Sequence, residues 1–360
     1  MKVLISAGGT GGHIYPALAI IDKIKEENKN VEFLYIGTTN RMEKDIIPEM
    51  NIPFYGIEIY GLKRKITPKN IIFNIKTIIK YIKSNKLVKK KIKEFDPDIV
   101  IGVGGYVTAP VVKQAKKLGY KTLVHEQNSI LGLSNKMNLK YTDVLCTSFK
   151  DMKVDKCKCV YTGNPTSDNA KKIEQVDLKK LGIDNKKKTV LIVMGSLGSL
   201  TVSNVLRESL DKFSDEYNTI IITGKDYYEP YLDYKRGDNV YLFPYINGLP
   251  SLMKSCDLMV TRAGASTISE IVAINIPAIF IPSPYVTENH QYKNAMSFVN
   301  EGAALILEEK DLAPDSLVNL INSTINDEDK IKSIKKNLSK FEIDGSQDRI
   351  YKEIVDLIRK

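Results

Sequence analysis

The sequence predicts a two-domain α/β protein in which each domain is a Rossmann-like, doubly wound parallel sheet. Three observations carry this. Short apolar strands alternate with amphipathic helices along the chain. A glycine-rich strand-to-helix turn, Gly8-Gly9-Thr10-Gly11-Gly12-His13, stands near its start. The same opening recurs halfway, where an apolar run at 189–194 leads into Gly195-Ser196-Leu197-Gly198-Ser199. Two halves that each begin with a strand and an anion turn argue for paired nucleotide-binding-like domains facing a cleft.

In order, Val3-Leu4-Ile5-Ser6-Ala7 is the first buried strand, and Pro16 is expected to open a helix burying Ala17, Ile20, Ile21 and Ile24. Between them the glycines let a ligand approach the backbone, and free N–H groups at the helix start favour a phosphate. His13 stands where the turn becomes the helix. The competing reading is a turn that serves packing alone. A dinucleotide fingerprint fails here, because Ile14 holds the third glycine position and the second strand runs into Gly37-Thr38 instead of an acid. No G-x-x-x-x-G-K-[ST] occurs, which excludes a P-loop. Further strands are expected at 33–36, 99–103, 122–126 and 144–146. Tyr161-Thr162-Gly163-Asn164-Pro165 breaks the pattern, and a polar, lysine-rich stretch follows. These signals place a first domain at 1–163, a linker at 164–188 and a second domain at 189–345. Its strands fall at 189–194, 219–223, 240–243, 258–261, 278–281 and 304–307. The last segment, 346–360, is expected to be a helix packing back on the first domain.

With 360 residues, 43% of them hydrophobic, the chain can bury a large core. Cys146, Cys157, Cys159 and Cys256 have no disulfide or zinc spacing, so reduced thiols are expected. The first strand begins at once, so no leader is expected. The longest apolar run, 271–281, is broken by Asn275 and Pro277 and is too short to span a bilayer, which points to a soluble protein. The net charge is +10, yet residues 62–93 carry twelve Lys or Arg and no acid, so the rest of the chain sums to −2. Within that segment Ile71, Ile75, Ile78, Ile79 and Ile82 fall at helical spacing among Lys76, Lys80, Lys83 and Lys86. A basic amphipathic helix suits an anionic membrane face, docking through Lys63, Arg64, Lys65, Lys69, Lys76 and Lys80. The blander reading turns the isoleucines into the core and leaves the lysines solvated. Few aromatics beyond Phe73 and Tyr81 interleave, which speaks against nucleic acid.

Thr261-Arg262-Ala263-Gly264-Ala265-Ser266-Thr267-Ile268-Ser269-Glu270 is a second strand-to-helix turn. Ser266 and Thr267 are N-cap types that can also donate to phosphate, and Glu270 follows where a carboxylate can accept two ribose hydroxyls. The alternative is a capping box, Thr267-x-x-Glu270. Two Asp-x-Asp patterns, Asp96-Pro97-Asp98 and Asp327-Glu328-Asp329, read as structural, so no metal site is expected.

Four more pieces occur in order: Gly104-Gly105-Tyr106, His125-Glu126-Gln127-Asn128, Thr162-Gly163-Asn164-Pro165 and His290-Gln291-Tyr292-x-Asn294-Ala295. With the three glycine turns they resemble, over essentially the whole length, the GT-B enzymes of glycosyltransferase family 28 that act on lipid-linked cell-wall precursors. The resemblance implies an inverting transfer of N-acetylglucosamine from UDP-N-acetylglucosamine to the C4 hydroxyl of undecaprenyl-pyrophosphoryl-MurNAc-pentapeptide (lipid I), without a cofactor. It implies that the Ala265, Ser266, Thr267, Ile268, Ser269 and Glu270 turn holds the donor, with Glu270 on the ribose. Ser196 would line the phosphate pocket, the Ile246 backbone would read the uracil edge, and Gln291 would contact the sugar. Thr10, Gly11 and Gly12 belong to the acceptor-side turn, and Asn128 lies near the reacting centre. His13 is the first choice of base and Glu126 the second, with His125 orienting its neighbours. The site would lie at the cytoplasmic face of a bacterial membrane, bound peripherally, with other cell-wall synthesis proteins as further partners. Two departures stand out: Ser167 replaces the family's usual Arg, which leaves Arg262 as a possible source of that charge, and His290 replaces a Gln. The nearest alternatives are another GT-B UDP-sugar enzyme, either a glycolipid glycosyltransferase or a UDP-N-acetylglucosamine 2-epimerase, and a non-catalytic binding module.

Overall fold

The computed structural model describes residues 1–61, 67–195 and 198–359. Lys63, Arg64, Lys65 and Ser196, four of the sequence-derived site residues, lie outside them.

The chain divides into two units, Met1–Thr166 with Gly345–Lys360, and Ser167–Asp344. In the first, seven parallel strands are ordered β3-β2-β1-β4-β5-β6-β7: β1 Lys2–Ala7, β2 Glu32–Thr38, β3 Phe54–Ile57, β4 Ile99–Gly104, β5 Lys121–Glu126, β6 Val144–Thr147 and β7 Lys158–Tyr161. In the second, six parallel strands are ordered β10-β9-β8-β11-β12-β13: β8 Thr189–Val193, β9 Asn218–Ile222, β10 Val240–Phe243, β11 Leu258–Thr261, β12 Ala278–Phe280 and β13 Leu305–Ile306. The inner strands are buried without alternation, as helices on both faces require. The helices of the first unit are α1 Gly11–Glu27, α2 Glu43–Glu49, α3 Pro68–Phe95, α4 Thr108–Lys117 and α5 Leu133–Asn138, and α6 Thr166–Lys172 spans the boundary. The second unit has α7 Leu200–Ser209, α8 Leu249–Met253, α9 Ala265–Ile274, α10 His290–Val299, α11 Pro314–Ile325 and α12 Glu328–Leu338. The last helix, α13 Ser346–Ile358, returns to the first unit. Its Ile350, Ile354 and Leu357 join Ile14, Ile20, Ile21 and Ile24 of α1 in one core. In the stretch 164–188, Ala170, Leu178 and Ile183 are buried.

Both sheets reverse winding beside their first strand, between β1 and β4 and between β8 and β11. Loops after those strands flank the crevice where such folds bind ligands. The Gly8–His13 turn and the Arg262–Gly264 turn are therefore at the switch points of their own sheets.

Two expectations need correcting, and the blander reading of the basic helix falls. Pro16 does not open α1: the helix starts at Gly11, and Pro16 is its sixth residue, buried. Two short edge strands, β3 and β7, extend the first sheet beyond the strands read from the sequence. Finally, the isoleucines of α3 do not face the core. Ile71, Ile72, Ile75, Ile78, Ile79 and Ile82 are each about half exposed or more, while the buried face is Thr77, Ser84, Val88 and Ile92.

Candidate functional site

In the first unit the glycine turn is locked to the loop after β4. Gly8 N–H donates to Gly104 O at 3.2 Å. Gly104 and Gly105 have φ of +115° and +88°, and a Cβ on Gly105 would lie 2.2 Å from Gly8 O. A Cβ on Gly104 would lie 2.5 Å from His13 Cδ2, so the imidazole rests on a glycine floor. His13 Nδ1 donates to Gly8 O at 3.1 Å, which leaves the neutral ring's lone pair on Nε2. Thr10, the N-cap of α1, makes no side-chain cap. His13 and Ile14 N–H both turn back to Thr10 O. The N–H groups of Gly11 and Gly12 belong to the first turn, where no helical carbonyl reaches them. Open N–H groups at a helix start favour an anion.

The strand end at β5 is a hydrogen-bonded platform. Glu126 is buried, and its carboxylate accepts from Asn128 N (3.0 Å), Asn128 Nδ2 (3.1 Å), Gly132 N (2.8 Å) and Asn135 Nδ2 (2.8 Å). Four donors fill the oxygens and fix the loop carrying Asn128, an arrangement that suits a structural carboxylate more than a base. His125 is fully buried, with Nε2 donating to Gly163 O at 3.0 Å and Nδ1 accepting from Gln127 Nε2 at 2.9 Å. Burial pulls its pKa down to about 4, so the ring is neutral near pH 7.

In the second unit α9 begins without a side-chain cap. Its N-cap is Gly264, and Thr267 is the third helical residue, so the Thr267-x-x-Glu270 capping box is not formed. Ser266 Oγ is buried and has no hydrogen-bond partner among the described residues. Glu270 likewise has no hydrogen bond or ion pair among the described residues, and burial raises its carboxyl to about 7. An uncapped helix start, an orphaned hydroxyl and an orphaned carboxylate together form an incomplete polar site. Ser269 Oγ is spent on Ala265 O at 2.9 Å, and Ile268 is buried beneath. Ile246 lies in the loop between β10 and α8. Gln291, in the first turn of α10, accepts from Ser283 N–H at 2.8 Å through Oε1, which aims its amide. Before it, Glu288 and Asn289 both adopt left-handed φ values of +55° and +51°, uncommon for residues with a side chain. Asn294 Nδ2 donates to Ala263 O at 3.2 Å, tying α10 to the turn before α9.

Arg262, the candidate source of the charge absent at Ser167, is already engaged. Its guanidinium pairs with the nearly buried Glu309 and donates to Ser199 Oγ at 2.6 Å and Ile281 O at 2.9 Å. In the two Asp-x-Asp patterns, Asp98 accepts from Lys2 N–H at 2.7 Å, Asp96 from the Tyr120 hydroxyl at 2.8 Å, and Asp327 caps α12. The basic helix does meet an acid, since Lys80 pairs with Glu58 and lies over the Tyr60 ring at 4.6 Å. Lys69 and Lys76 are exposed. Sequence reasoning missed Glu43, which is fully buried beneath the glycine turn and accepts from Gly9 N–H at 3.2 Å.

Residues 3–146 match the glycosyltransferase family 28 N-terminal domain, and residues 189–350 match its C-terminal domain. The chain is 40% identical over 370 residues to a Bacillus cereus protein, "UDP-N-acetylglucosamine--N-acetylmuramyl-(pentapeptide) pyrophosphoryl-undecaprenol N-acetylglucosamine transferase 1", with all of each chain covered. It is also 40% identical to the transferase of that name from Bacillus pumilus, covering 99% of both. Among solved structures it is similar to Acinetobacter baumannii MurG, with a TM-score of 0.78, 25% identity and 99% of both chains covered.

Proposed function

The chain belongs to glycosyltransferase family 28, and from that premise we infer that it makes lipid II from lipid I. It is a GT-B hexosyltransferase that moves N-acetylglucosamine from UDP-N-acetylglucosamine to a lipid-linked acceptor, as its full-length relatives are named for doing. The observation that carries the donor assignment is the open start of α9, with Ser266 Oγ unpartnered and the Glu270 carboxylate one turn further on, also unpartnered. A diphosphate satisfies the free N–H groups and the hydroxyl, and ribose hydroxyls satisfy Glu270. The Ile246 backbone takes the uracil edge, Ser196 the phosphates and Gln291 the sugar hydroxyls. In the first unit, Thr10, Gly11 and Gly12 take the acceptor's diphosphate.

Transfer proceeds by one displacement. The acceptor oxygen bonds to C1 of N-acetylglucosamine as the C1–O bond to phosphate breaks, and UDP leaves with the electron pair. The hydroxyl proton goes to His13 Nε2, the nitrogen that the Gly8 bond leaves as acceptor. Glu126 serves as a positioning residue for Asn128. The charge growing on UDP is met by helix N–H groups.

Among the described residues no helix is long and apolar enough to cross a membrane. The half-exposed isoleucines of α3, with Lys69 and Lys76 beside them, would instead dock the protein peripherally on the anionic cytoplasmic face. The deciding experiment is transfer of labelled N-acetylglucosamine to a short-chain lipid I analogue. Conversion of the donor to UDP-N-acetylmannosamine without acceptor would point instead to an epimerase.

A further inference from the structure

Glu43, the first residue of α2, has no part in the chemistry above, yet the fold makes room for it. A Cβ on Gly8 would lie 2.3 Å from its Oε1, and one on Gly37 would lie 2.8 Å from its Cγ. Oε1 accepts from the backbone N–H of Thr38 at 3.0 Å and from its hydroxyl at 2.6 Å. Oε2 accepts from Gly9 N–H at 3.2 Å. All three partners are donors, the set an ionised carboxylate accepts. The other end of the same peptide, the Gly8 carbonyl, accepts from His13 Nδ1 at 3.1 Å. One peptide group therefore lies between a buried carboxylate and the imidazole.

We propose that Glu43 is a positioning residue for sugar transfer, setting the orientation and basicity of His13 through the Gly8–Gly9 peptide. The proposal rests on His13 being the base. When Nε2 takes the acceptor's proton, the imidazolium is stabilised through its Nδ1–H···O=C bond. An anion bonded to the N–H of that peptide polarises the carbonyl, and in this partly buried site the effect is screened less than in water. Triads in which a carboxylate touches the histidine reach the same end directly; here a backbone amide intervenes. At the ends of the surrounding elements that lead into this turn stand Tyr15 on α1, Tyr35 on β2, Tyr106 after β4, and His125 and Glu126 on β5. Asp22, Lys23, Lys25, Glu26 and Glu27 lie in later turns of α1, Glu32 and Lys121 at the starts of β2 and β5, and Lys44, Asp45 and Glu49 follow Glu43 on α2. The Tyr35 hydroxyl donates to Ala7 O at 3.0 Å, and among the described residues Glu43 is the one side-chain carboxylate hydrogen-bonded to the Gly8–Gly9 peptide.

The test is the pH dependence of kcat/KM for transfer to a short-chain acceptor. Glu43→Gln should lower kcat by about 10–100-fold, part of what losing the base costs, while donor KM stays unchanged. Its acid limb should move to lower pH by about half a unit or more, because a nearby negative charge is gone. Thr38→Val should move that limb the other way, since the carboxylate loses a donor and more of its charge reaches the peptide. On a His13→Ala background Glu43→Gln should lower kcat no further. An acid limb unmoved in both Glu43→Gln and Thr38→Val overturns the inference, as does a Glu43→Gln loss that persists in full without His13. If Glu43→Gln does not fold, the direction of the Thr38→Val shift decides. Persistence of the acid limb in His13→Ala would instead sink the base assignment itself.

Discussion

Glu270 is a carboxyl that burial holds near neutrality, at about 7, so around pH 7 it is part acid and part carboxylate. Two ribose hydroxyls favour the ionised form, so donor binding near that pH should expel a fraction of a proton. Calorimetry in buffers of different ionisation enthalpy measures this, and Glu270→Gln should remove it. Glu270→Ala should weaken donor affinity by about 1.5–3 kcal/mol, the loss of a charged hydrogen-bonding group; unchanged affinity in a folded variant would reduce Glu270 to a helix residue without a ligand. His13→Ala should cut kcat by about 10²–10⁴ with donor binding intact, whereas a change confined to acceptor KM would make His13 a phosphate ligand. His125 gives the opposite kind of pH effect from Glu270. Its folded pKa is about 4 against 6.5 when free, so below pH 6.5 the unfolded chain binds a proton that the folded chain refuses. Stability is complete above pH 6.5 and falls as pH drops toward 4, by about 3 kcal/mol from this group. Urea unfolding at pH 7 and 4.5 checks it, with His125→Asn flattening the difference. His13, His125 and Glu270 were legible because each sits in a short motif beside a strand end. Glu43 was not, because Arg41-Met42-Glu43-Lys44 reads as a solvated turn. Only folding brings Gly8 and Gly37 together to make its space.

At the scale of elements, long buried strands and amphipathic helices were readable, and helix caps and short edges were not. β3 carries Gly56 in its middle and β7 begins with a lysine, so neither has a run of apolar residues to announce it. The face of α3 was the harder question, because periodicity gives the stripe but not its direction. The structure turns Ile71, Ile72, Ile75, Ile78, Ile79 and Ile82 outward and packs Val88 and Ile92 of the last turns into the core. A row of exposed isoleucines on one helix is a cost in water unless something covers it. Replacing Ile75, Ile79 and Ile82 by Ser should therefore leave the melting temperature nearly unchanged and abolish cosedimentation with anionic vesicles. Lys69, Lys76, Lys83 and Lys86→Gln should weaken that binding by about 1 kcal/mol per lysine and spare transfer to a soluble acceptor. Lys80 is left out of the set because Glu58 already holds it. Equal vesicle binding by wild type and both variants would remove α3 from the membrane.

Over the whole molecule, the alternation of strand and helix foretold two parallel sheets, and the repeated glycine turn foretold that each would have its own switch point. The sequence placed a closing helix at 346–360 on the first domain, and the structure adds how deep it goes. Ile350 and Ile354 are fully buried against α1. Ile354→Ala should cost about 2–5 kcal/mol and lower the melting transition of the first unit while leaving donor binding by the second in place. Loss of both together would mean that the two units unfold as one. The position of α13 also sets an order of events during synthesis. The first unit is interrupted: its strands and helices up to residue 166 leave the ribosome early, and its closing helix follows only after Asp344. At ribosomal speed the intervening Ser167–Asp344 takes roughly 10–40 s to appear. Throughout that interval Ile20, Ile21 and Ile24 of α1 lack the side chains that finally cover them. A nascent chain thus carries an open apolar seam for as long as the second unit is being made, and a chain cut short just after Asp344 has a second unit that is whole and a first unit that is sticky.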